Sequence, residues 1–164
     1  MSKAEELADA LRKKLESEAE GKALLDKAIA QWPAEVYRVY DQIETWLAPL
    51  VSAGLTTERK SISIRENPSS ENRYTYSIDK LSITANRQTL TIEPVARFIM
   101  GGTGRIDVKC KKINCYLIKT SSKPNTDDYE WLIEKIPPNG RPRQNTSEFN
   151  EENFLSIVEQ ELGL

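Results

Sequence analysis

The 164 residues carry 38% hydrophobic and 29% charged side chains, a balance that fits one folded domain and excludes both a disordered chain and a membrane-embedded one. No apolar run approaches the roughly 20 residues that a bilayer-spanning helix needs, and Ser2-Lys3-Ala4-Glu5-Glu6 lacks the apolar core of a secretory signal, so a cytoplasmic setting with no membrane partner is expected. The formal net charge of -2 hides an uneven layout: residues 1–56 balance to -3, residues 57–123 to +7 and residues 124–164 to -6.

Ser2 and Glu5 form a capping box, so a helix is expected from there. Leu7, Leu11 and Leu15 follow at a spacing of four and line one narrow stripe, with charged residues over most of the remaining surface. The pattern weakens at Gly21, resumes with Leu24, Leu25 and Ile29, and is expected to stop at Gln31-Trp32, because Pro33 disfavours a helical residue before it. Pro33 then suits the first turn of a second helix. Val36, Tyr40, Ile43, Leu47 and Leu50 give that helix a buried face, and Gly54 marks its stop.

From residue 57 to 136 the apolar periodicity changes to two, the signature of half-buried strands. Ile62 and Ile64 begin the series, and Asn67 to Asn72 forms a turn-rich link. Tyr74, Tyr76 and Ile78 then alternate on even positions while Leu81 and Ile83 alternate on odd ones, which predicts a bulge or tight turn at Asp79-Lys80. Asn86-Arg87 is a further turn, Pro94 marks an end or an edge, and Val95 to Met100 is expected as a strand covered on both faces. Gly101-Gly102-Thr103-Gly104 lacks the Lys-Ser or Lys-Thr and the helix of a phosphate loop, so a hairpin tip is expected. Strands from Arg105, Ile113 and Tyr129 follow, with a polar loop over residues 121–128. Residues 137–149 form a proline-rich loop, and Asn150 caps a final helix over 150–162, stapled by Phe149 and Phe154.

The predicted architecture is a single α+β domain over 1–164. It has two N-terminal helices within 1–54, a six- or seven-stranded antiparallel meander over 57–136 forming a strongly twisted or half-closed sheet, the proline-rich loop, and one C-terminal helix.

Chemistry is sparse. The absence of histidine removes the commonest general base and metal ligand. Cys110 and Cys115 make an incomplete zinc set and are expected as reduced thiols filling sheet positions. Glu93 and Asp107 lie within the basic region and are expected to pair with Arg97, Arg105 or Lys109. No catalytic residues, cofactor or metal are expected, and the chain is expected not to be an enzyme. The expected function is a protein-protein interaction module, such as an adaptor, inhibitor, immunity or antitoxin-like factor, or accessory subunit. Leu7, Leu11 and Leu15 are its candidate surface for a partner or for self-association. The alternative is a nucleic-acid-binding accessory protein using Arg87, Arg97, Arg105, Lys109, Lys111 and Lys112 on the basic face of the sheet.

Overall fold

One helix, α1, runs unbroken from Lys3 to Ser52 in a computed structural model that describes residues 2–99, 103–121, 129–137 and 145–164. The capping box forms as expected: the Ser2 hydroxyl accepts from the Glu5 amide and the Glu5 carboxylate accepts from the Ser2 amide. The predicted break at Pro33 does not occur, and both Pro33 and Pro49 lie inside the helix. An interior proline costs about 3 kcal/mol, through a lost hydrogen bond and a clash with the preceding turn. That cost is outweighed because Trp32, Val36, Tyr40, Ile43 and Leu47 are all fully buried around it, each worth about 1.5–3 kcal/mol. Local propensity yields here to tertiary packing.

Among the described residues seven strands follow: β1 (Thr56–Glu66), β2 (Tyr74–Ala85), β3 (Gln88–Ala96), β4 (Arg105–Lys109), β5 (Asn114–Ser121), β6 (Tyr129–Lys135) and β7 (Asn145–Glu148). They pair antiparallel in sequence order, and β1 and β7 form the two edges of an open sheet, not a half-closed one. β7 falls inside the stretch expected as a proline-rich loop. It is short and polar, a common way to blunt a sheet edge, and so carries no apolar alternation to betray it. The final helix α2 (Glu151–Leu162) starts as expected, with the Asn150 side chain accepting from the Asn153 amide and the Phe149 and Phe154 rings 5.9 Å apart.

The parity change in β2 has a different cause from the predicted bulge. Pairing between β1 and β2 is unbroken from Thr56↔Thr84 to Glu66↔Tyr74, with no inserted residue. β3, however, pairs with β2 only over Leu81–Ala85. Beyond that point the two strands continue as a free ribbon, and two-stranded ribbons twist most strongly. The ribbon rotates, so its buried side passes from odd residues (Leu81, Ile83) to even ones (Ile78, Tyr76, Ile64). Where β3 leaves, α1 replaces it: the Asp79 amide donates to the Tyr37 hydroxyl at 3.0 Å, and the Asp79 carbonyl accepts from the Tyr40 hydroxyl at 2.7 Å.

The predicted strand over Val95 to Met100 is also absent. β3 ends at Ala96 after a register shift between Pro94 and Ala96, Val95 is 39% exposed, and Met100 lies outside the described residues. Both helices cover one face of the sheet. Trp32 packs 6.0 Å from Trp131, and Trp46 packs against Phe149 and Phe154. No helix among the described residues is long and apolar enough to cross a membrane.

Several tyrosines keep their protons more tightly in the fold. Burial, with further contributions from neighbouring charges, holds the Tyr40 phenol far above its ordinary value, and burial together with the Glu66 carboxylate does the same for Tyr76. Partial burial and the Asp26 carboxylate push Tyr74 up to about 12. An unfolded chain releases these protons near pH 10 while the native chain retains them, so the stability that these three phenols contribute is complete below about pH 10 and is lost as pH rises above it. Urea unfolding midpoints are therefore expected to drop steeply above about pH 10; equal midpoints on both sides of that value would contradict the assignment.

Candidate interaction surface

The first part of α1 leaves the body of the protein. Every residue from Ser2 to Leu24 is exposed except the half-buried Ala8, and full burial begins only at Trp32. Leu7, Leu11 and Leu15 are 58%, 58% and 55% exposed, although they share a helix with a core stripe. The two stripes are one line. Leu7, Leu25 and Ile43 are spaced by 18 residues, as are Leu11, Ile29 and Leu47, and at 3.6 residues per turn each step is about five whole turns. The leucines of the arm therefore point to the same side of α1 as the residues that bury against the sheet. Only Glu18, Gly21 and Lys22 interrupt the stripe between arm and body.

The far end of the β1–β2 ribbon fixes where the arm begins. The Tyr74 hydroxyl donates to the Asp26 carboxylate at 2.6 Å, and the Tyr74 ring lies 6.1 Å from that of Phe98. Glu66, buried at 5% exposure, accepts from both the Tyr76 hydroxyl and the Phe98 amide. Arg59 adds a second brace, bonding Asp41 and Glu44 of α1 while lying over the Tyr37 and Tyr40 rings. Nothing in the sequence pattern marks Asp26 or Glu66 for these roles.

The cations expected on one basic face are scattered. Arg87 sits in the β2–β3 turn at φ 59, and Lys111 and Lys112 in the β4–β5 turn, so all three lie at the sheet end next to the C-terminus of α2. There the buried Glu161 accepts from the Lys111 and Lys112 amides, and Lys112 Nζ donates to the Gln160 carbonyl. Cations suit the negative end of a helix dipole. Arg97 is at the opposite end, its Nε buried without a hydrogen-bond partner among the described residues. Arg105 and Lys109 lie on the uncovered face but are matched there. Arg105 bonds Asp107 and lies 4.1 Å from the centre of the Tyr116 ring, Lys109 pairs with Glu93, and Tyr116 bonds Glu134.

The proposed Gly101-to-Gly104 tip divides. Gly101 and Gly102 lie outside the described residues, whereas Thr103 and Gly104 pair with Lys119 of β5 and Gly104 is buried under Trp32. The loop residues 122–128 and 138–144 likewise lie outside the described residues. Cys110 and Cys115 are free thiols at the base of the β4–β5 turn. Among the described residues no three carboxylate or thiol groups converge to hold a metal ion.

One positive site was not anticipated from the sequence. An open groove of about 650 Å³ at the ribbon tip is lined by Arg65, Arg73, Asn67, Ser69, Ser70 and neighbouring side chains, none of them acidic. Neither arginine belongs to an ion pair among the described residues. The only prior signal was a pair of arginines flanking the turn-rich Asn67-to-Asn72 link. Compared with protein-family models, curated proteins and solved structures, the chain shows no match to any of the three.

Proposed function

We propose that this chain is a non-enzymatic protein-interaction module that docks through the arm of α1. One observation carries the reading: three leucines in a row are more than half exposed on a helix whose same stripe, about ten turns further on at Ile43 and Leu47, is fully buried. An amphipathic helix that presents apolar residues at i, i+4 and i+8 is a recurrent docking element. Leu11→Glu is expected to abolish association, read by light scattering and by capture of binding proteins, while thermal unfolding of the body stays within about 0.5 kcal/mol of the intact chain, as for other exposed positions. A large loss of stability would instead place the stripe in the core.

A second reading rests on the ribbon groove. Two arginines that belong to no ion pair among the described residues, set among serine and asparagine side chains, suit the phosphate backbone of a nucleic acid, which is held by charge and hydrogen-bond donors without base contacts. Oligonucleotide binding at low salt that weakens steeply as salt rises, and that Arg65→Ala with Arg73→Ala removes, is the expected signature. Binding that instead depends on Lys111 and Lys112 would contradict this placement.

A further inference from the structure

We propose that the arm's stripe is covered by a second copy of this chain, with the two arms crossing antiparallel about a two-fold axis at Leu11. The proposal rests on the docking reading above and names the partner.

The stripe is its own complement when reversed. With Leu11 on the axis, Leu7 meets the copy's Leu15, Leu11 meets the copy's Leu11, and Leu15 meets the copy's Leu7, so all three exposed leucines are covered at once. Glu18, the acid that interrupts the stripe, falls beside the copy's Lys3 and Ala4. Among the described residues of the single chain, Lys3 makes only a 3.8 Å contact with Glu6, with both side chains exposed, so its ammonium can turn to the copy.

The body's placement excludes the parallel alternative. Because the stripe continues into the buried face of α1, a parallel in-register copy would bring both sheets onto the axis at the same place. A parallel pair would also set Glu18 against Glu18 and Lys22 against Lys22 along the seam, like charges that oppose association. Antiparallel arms instead carry the two bodies to opposite ends.

The available length selects the register. Helix α1 of the copy begins at its Lys3, which would lie opposite residue 19. That is seven residues, about 10 Å at 1.5 Å per residue, short of Asp26, where Tyr74 closes the arm. A register shifted by two further turns would drive the copy's helix into the ribbon.

Light scattering on the full chain from micromolar to submillimolar concentration tests this, with Leu11→Glu, Leu11→Ala, Lys3→Glu, Glu18→Lys and the double reversal Lys3→Glu with Glu18→Lys. The expected result is a dimer that both Leu11 variants dissociate, Leu11→Ala serving as the variant that keeps full helix propensity. Each single charge reversal is expected to weaken the dimer roughly ten-fold, two surface pairs being affected per dimer, and the double reversal to restore it, since only antiparallel arms bring residue 3 to residue 18. The proposal is overturned by a monomer at every concentration, by a dimer that Leu11→Ala leaves intact, or by a double reversal no tighter than either single one. If the chain stays monomeric while Leu11-dependent capture of another protein persists, the second copy is ruled out and the docking reading stands. If neither assay responds to Leu11, both fall.

Discussion

Trp32→Ala is expected to destabilise the protein by about 3–5 kcal/mol, the range for removing a buried large aromatic side chain. Trp32 is fully buried at the point where α1 lands on the sheet. Its ring lies so close to Gly104 that a Cβ there would come within 2.5 Å of it, and it packs 6.0 Å from Trp131. One side chain thus joins α1, β6 and the segment entering β4, and the cavity left by alanine has rigid walls. Its indole Nε1 has no hydrogen-bond partner among the described residues. Trp32→Phe, which removes that unpaired donor while keeping an aromatic ring, is expected to cost much less. Urea unfolding of the two variants checks both statements; a loss below about 1 kcal/mol for alanine, the scale of an ordinary surface change, would contradict this keystone role.

Lys119→Met is expected to cost about 3–5 kcal/mol, because breaking a buried pair leaves its partner charged and desolvated. Lys119 points to the helix-covered face of the sheet, where its ammonium pairs with Glu35 of α1 and lies 4.3 Å from the centre of the Tyr129 ring. The two side chains are only 7% and 13% exposed. Replacing both ions by apolar groups removes the desolvation penalty along with the attraction, so Lys119→Met combined with Glu35→Leu is expected to recover most of the loss. A double-mutant cycle measures this directly. Additive losses would show that the two charges do not depend on one another.

Much of the fold is legible in the sequence where local rules act alone. The Ser2–Glu5 box, the Asn150 cap with its phenylalanine staple, and the turn at Asn86-Arg87, whose residues both have positive φ, are set by a few neighbouring side chains. Misreadings arise where distant packing overrules those rules. Pro33 signals a helix start, yet the burial of Trp32 and Val36 carries the helix through it. The parity change at Asp79 signals a bulge, yet the ribbon turns as a unit because β3 stops short and two tyrosines of α1 take its place. Lys119 shows the same limit: a lysine beside Leu117 and Ile118 suggests a wet position, and only the Glu35 carboxylate on α1 lets it face inward.

The candidate surface divides in the same way. The leucine stripe is visible as spacing alone, but its exposure depends on where the β1–β2 ribbon ends, which no local pattern encodes. The basic set is divided because the strands separate its members: Arg105 and Lys109 meet acids on neighbouring positions, while Arg87, Lys111 and Lys112 gather at the end of α2. Arg65 and Arg73, which belong to no ion pair among the described residues, lie instead on the part of the sheet that leaves its neighbours.

Hydrogen exchange of the intact chain, followed in dilute and in concentrated solution, tests the central claim most directly. A lone helical arm without tertiary packing is marginal and exchanges quickly, whereas one seated on a partner is protected. The predicted result is protection of the amides of residues 5–18 that rises with protein concentration, while those of residues 36–47 are slow at every concentration. Fast exchange of residues 5–18 in both dilute and concentrated solution would contradict an arm covered by a second copy.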